Sequence, residues 1–181
     1  MGRIIAKSEL LAESGEVFDK LTLYCNQLPE NIFFGEIEGK WTIAQHVQHL
    51  VISTKTATAA YAIPKFFIRL IGGRPGRSSQ TFDELTEKYQ MKLNAGGKAS
   101  GRYVPANISR SSGKEVLQSW KLAASHYLHV VDRKWTDNKL DSYQVPHPLL
   151  GRITLRELCY FTLFHTAHHL KGIKAQTMLL G

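Results

Sequence analysis

Cysteine is scarce: Cys25 and Cys159 are the only two in 181 residues, each inside a helical apolar pattern and far from any CxxC spacing. That excludes a disulfide framework and a cysteine-based metal or redox motif, and leads us to expect two buried, reduced thiols in a cytoplasmic protein. Long hydrophobic runs are also missing. No stretch approaches the roughly 20 apolar residues that span a bilayer. The opening MGRIIAKSELLAESGE turns acidic where a secretory signal would carry its apolar region. Clustered charge is absent too, although 23 Lys and Arg against 15 Asp and Glu give a formal net charge of +8. The densest basic stretch, RLIGGRPGR at 69–77, is rich in Gly and Pro and lacks the interleaved aromatics of a single-strand binder. It reads as a solvated loop, and nucleic acid is not the expected partner.

Strand-like alternation is almost absent, and helical periodicity takes its place. With 43% hydrophobic and 21% charged residues, the chain has the composition of a soluble globular protein. Its length predicts a single domain spanning residues 1–181. Leu10, Leu11, Val17, Phe18, Leu21 and Tyr24 recur at helical spacing over residues 8–28, before Pro29. A second helix starts at Thr42, where T-x-x-Q with Gln45 has the form of a capping box, and runs through Ala60 until Pro64. A third begins at Ser112 with S-x-x-E to Glu115 and ends near Trp135; a fourth begins at Thr154 with T-x-x-E to Glu157 and lasts to the C-terminus. The stretch 29–40 reads as a plain connection. The fold class is therefore all-α, a four-helix bundle. A long connection over residues 72–111 joins helices two and three, with one short helix at 81–93 capped by Thr81 and Glu84.

Histidine is the residue with chemical weight. In FHTAHHL, His165 and His169 are four apart, so a helix places both on one face together with Leu158, Phe161, Gly172 and Gln176. Two imidazoles so spaced can chelate one metal. The second helix carries QHVQHL, and His49 is the expected third ligand, since Thr42, Gln45, Ser53, Thr56 and Ala60 on its face are all small or polar and leave room for a metal, water and a ligand. His46 projects nearer Ile43 and Leu50 and is expected beside the site or at its boundary. His168 is a candidate base, donor or packed residue, while His126, His129 and His147 are expected to be structural or exposed.

The segments WTIAQHVQHLVIS and LGRITLRELCYFTLFHTAHHLKGI resemble the second and last helices of the DinB/YfiT-like superfamily, a W-x-x-x-x-H-x-x-H-L opening and an H-x-x-H-H close. The resemblance implies a four-helix bundle with a divalent metal on His49, His165 and His169, assembled as a homodimer. It further implies a metal-dependent hydrolase or a transferase using a low-molecular-weight thiol such as bacillithiol or mycothiol. Lys171-Gly172-Ile173 stands where many relatives show Arg-Gly-Gln, and Gln176 sits one turn later. Zinc or nickel suits imidazole ligands, and an open coordination position would activate water or a thiol against a small-molecule substrate. In the connection, Lys98 and Arg102 are candidates for meeting an anionic cofactor or carboxylate. The competing readings are a non-catalytic metal-binding or stress-response bundle acting through a partner, and a purely structural helical protein.

Overall fold

The structure, a computed structural model, describes residues 3–181 except for the side chain of Ser111. Four long helices form the frame: α1 (Lys7–Asn26), α3 (Ile43–Ala62), α6 (Gly113–Lys134) and α8 (Leu155–Leu180). α1 packs on α6 and α8, and α3 also packs on α6 and α8, so α1 and α3 stand diagonally across the bundle. Short helices α2 (Glu30–Phe33), α4 (Lys65–Gly72), α5 (Phe82–Asn94) and α7 (Asp137–Leu140) fill the connections, with 3₁₀ turns at Gly101–Tyr103 and Arg110–Ser112. A hairpin of β1 (Gln144–His147) and β2 (Gly151–Thr154) precedes α8.

The capping boxes at Thr42/Gln45, Thr81/Glu84 and Thr154/Glu157 all form, each satisfying a backbone donor in both directions at the start of its helix. The expected box at Ser112 does not. Ser112 closes the Arg110–Ser112 turn with near-helical backbone angles, so its side chain makes no cap and the helix starts at Gly113. Three further expectations are corrected. The stretch 29–40 holds α2, and residues 69–72 belong to α4, which Pro64 initiates as its N-cap; only from Gly73 onward is RLIGGRPGR a loop. The hairpin at 144–154 is strand where none was expected, because four-residue strands containing Pro146 give no alternation to read.

The core is aromatic at its centre. Trp120, Tyr61 and Tyr127 are fully buried, Phe18 packs edge-on to Trp120 with ring centroids 5.2 Å apart, and the Trp120 indole N–H donates to Thr22 Oγ1 at 3.0 Å. Two buried charges tie the connections to the first turn of α8. Glu157, completely buried, accepts from the backbone N–H groups of Thr154 at 2.8 Å and Gln80 at 2.7 Å and from Arg77 Nη2 at 2.9 Å. Its carboxylate thus serves the cap and also fixes the loop before α5. Arg156, 2% exposed, grips both carboxylate oxygens of Asp141 at 2.7 and 2.8 Å and donates to the carbonyls of Ile5 and Asp137. α4 meets β1 so closely that a Cβ on Gly72 would lie 1.7 Å from the Gln144 carbonyl oxygen, and only glycine fits there.

Removing Arg156 opens the backbone contacts it holds and leaves the partly exposed Asp141 carboxylate without its partner. Arg156→Met should lower unfolding free energy by about 2 kcal/mol, the scale of hydrogen bonds to a charged group, read as a drop in the urea midpoint. Arg156→Lys should not restore it, since one ammonium cannot replace the fork.

Candidate metal centre and its cavity

α3 and α8 face each other, and their histidine-bearing turns meet. His49, His165 and His169 are 5%, 5% and 8% exposed, and their ligand atoms lie within 4.8 Å of one another, close enough to hold one ion. His165 Nε2 lies 3.1 Å from His49 Nε2 and 3.1 Å from His169 Nε2. His49 Nδ1 sits 2.7 Å from the Tyr103 carbonyl oxygen. A carbonyl only accepts, so His49 carries its proton on Nδ1 and its Nε2 presents a bare lone pair. His169 Nδ1 lies 3.0 Å from His46 Nδ1, and donation from His169 to His46 leaves His169 Nε2 bare in the same way.

Burial sets the charge of the cluster. It pushes His46 down to about 4, with the neighbouring His49 and His168 adding to the shift, and holds His165 and His169 well below the usual imidazole range. His49 is lowered by burial and partly restored by its bond to Tyr103. Neutral rings have few protons to share. The His49–His165 contact needs a proton on His165 Nε2, and that one proton can at best be shared poorly with the His165–His169 contact; a proton on His169 Nε2 would collide with it. A cation bound by all three nitrogens satisfies both contacts, and the donor set fits a divalent metal.

Aromatic side chains fix the rings. Trp41 packs on His46 and His49 with centroids 5.5 and 5.1 Å away, and Phe161 stacks on His165 at 4.8 Å and 19°. The Trp41 carbonyl accepts from Gln176 Nε2 at 3.0 Å, so Gln176 joins the end of α8 to the start of α3. Gly172, expected on the inward face, is exposed.

Residues 14–173 match the DinB superfamily. The chain belongs to that superfamily. No curated protein and no solved structure matches it.

Beside the histidines of this DinB-superfamily chain lies a cavity of about 330 Å³. α3 contributes Ser53, Thr56 and Ala60, as their place on the His49 face led us to expect, while Gln45 turns instead to Asn107. The 72–111 connection supplies a wall through Tyr89, Leu93, Lys98 and Tyr103. Arg102 is not among the lining residues; its guanidinium lies over the Tyr103 ring, 5.3 Å from the centroid. His168 lines the cavity with an exposed side chain, and His126 and His129 lie exposed on α6.

The sequence reading missed two contributors. The Tyr103 carbonyl had no signal, since every residue has one. His147 was expected to be structural or exposed; it is half-buried and structural, and what the sequence reading missed is that it also lines the cavity, meeting Phe161 edge-on at 4.3 Å. Its Nδ1 accepts from the N–H groups of Leu149 and Leu150 at 3.3 and 3.2 Å, which holds the hairpin turn. The PHP spacing was the one available clue.

Burial lowers His147 to about 4, with Lys88 adding to the shift, against an unfolded value of about 6.5. A base with a depressed folded pKa contributes its full stability above the unfolded value, and that stability is lost as pH falls from about 6.5 to about 4. His147→Asn keeps an acceptor for the turn and removes the titration. The fall in melting temperature between pH 7 and pH 4.5 should therefore be smaller in the variant than in the wild type; equal falls would show that His147 does not contribute.

Proposed function

We propose that the chain is a metal-dependent enzyme in which His49, His165 and His169 hold one divalent ion, zinc or nickel, beside a substrate cavity. The observation that carries this reading is the pair of 3.1 Å Nε2 contacts centred on His165, which share at most one proton and which a single cation would satisfy together. The ion would supply Lewis acidity, lowering the pKa of a water or low-molecular-weight thiol for hydrolysis or group transfer. The chain's own residues do the rest. The Tyr103 carbonyl and His46 hold protons on the outer nitrogens of His49 and His169 and so aim the inner ones. Trp41 and Phe161 restrict ring rotation and keep water from two sides of the cluster. His168, exposed at the cavity wall, is the candidate for carrying a proton between the reacting centre and solvent. Three protein ligands would leave an ion positions for water or substrate, as catalytic rather than closed structural sites require.

A cytoplasmic setting and pairing of two copies accompany this reading. The first rests on two free, buried cysteines; the second rests on the family alone. Among the described residues no helix is long and apolar enough to cross a membrane.

Elemental analysis of protein purified without a histidine tag tests the proposal. Near-stoichiometric zinc or nickel is expected, lost in His49→Ala, His165→Ala and His169→Ala and kept in His168→Gln. His46→Ala should retain the site but weaken it about 10- to 100-fold, the usual effect of removing a ligand's hydrogen-bond partner, measured by chelator competition. Wild-type protein that takes up neither metal on reconstitution would overturn the reading.

A further inference from the structure

The cavity walls describe what enters. Ile63, Ile68, Leu93, Val145, Leu149 and Phe161 line it, from α5, the hairpin and the ends of α3, α4 and α8. Among the described lining residues there is no carboxylate, and Lys98 is the one fixed charge. Its side chain is exposed, so the ammonium stays in water at the mouth while the walls behind it are apolar. A polyhydroxylated or multiply charged molecule would meet hydroxyls only at Ser53, Thr56, Ser100 and the two tyrosines and would lose hydration along the aliphatic walls. An apolar body gains from each surface it covers, and about 330 Å³ suits a small organic molecule.

We propose that the cavity takes a small molecule with an apolar body and a single anionic end, the body against the aliphatic and Phe161 walls and the charged end at Lys98. This depends on the proposed metal site only for the reaction that follows, in which the bond to be broken lies on the histidine side. Binding itself depends on the walls and Lys98. The substrate, or the group transferred to a thiol, is accordingly an apolar monoanion.

Calorimetric titration with three eight-carbon probes, octanoate, octanol and octanedioate, reads the assignment directly. On metal-loaded full-length protein, octanoate should bind about ten-fold tighter than octanedioate, whose second charge would face apolar walls. Lys98→Gln should weaken octanoate by roughly five-fold and leave octanol unchanged, the size expected for an exposed ion pair. Ala60→Phe, which fills space on the α3 wall, should weaken octanoate and octanol together. Should that variant not fold, the Lys98→Gln comparison still decides, because Lys98 is exposed.

Octanoate binding should survive removal of the metal by chelator. Binding lost with the metal but indifferent to Lys98→Gln would place the carboxylate on the ion and overturn the assignment of the charged end. Octanedioate binding as tightly as octanoate, or no binding of octanoate or octanol, would overturn the apolar body. Failure of the metal reading shows separately, as absent zinc or nickel in protein that still binds octanoate.

Discussion

Two imidazole nitrogens each held 3.1 Å from a third, with at most one proton to share between the contacts, form the constraint on which the rest of the site depends. Bringing neutral lone pairs that close is unfavourable in an interior of low dielectric, so the backbone around them must be stiff. The stiffness comes from two long helices packed directly on one another, each started by a complete capping box, and from a fully buried aromatic centre. Neutrality follows from the same packing, because burial is the first cause of every lowered histidine pKa in the cluster. A wetter, looser bundle would charge these rings and drive them apart.

Orientation needs a second set of contacts. A helix delivers the Cβ of His49 to the right place but leaves the ring free to rotate and its proton free to sit on either nitrogen. The Tyr103 carbonyl removes that freedom, and it comes from the connection between α4 and α6 rather than from the bundle. Gly101, with φ of 54°, opens the turn that aims this carbonyl. The long connection is thus part of the histidine cluster itself.

Much of this was readable in the residues, for identifiable reasons. A capping box is a local hydrogen-bond exchange, so Thr42, Thr81 and Thr154 marked their helices correctly. Ser112 failed because a preceding 3₁₀ turn had already claimed its backbone geometry. The i, i+4 pair in FHTAHHL and the small or polar face around His49 pointed inward because helix geometry alone fixes such relations. The hairpin and α4 were illegible: their signals are a few residues long and interrupted by Pro64 and Pro146, and what stabilises them is distant. α4 is held by the contact of Gly72 with Gln144, and the loop that follows it by the Arg77–Glu157 pair. Lys98 was visible as a flexible cation, but which side of the connection faced the histidines was settled only by packing.

The division of labour between bundle and connections has a chemical consequence. The three converging histidines come from α3 and α8, whose relative placement is fixed by the common core. The cavity surfaces that would distinguish one substrate from another come largely from α4, α5, the 98–103 stretch and the hairpin. Those segments are anchored at few points, chiefly Glu157, Arg156 and the Gly72–Gln144 contact, with the Tyr103 carbonyl tying the 98–103 stretch to His49. Lining side chains that do not pack on the histidines can therefore change while these anchors are kept, whereas changes at the anchors would shift the wall. In the proposed enzyme the histidines come from the paired helices and much of the apolar wall from the connections, so the helices alone say little about the substrate.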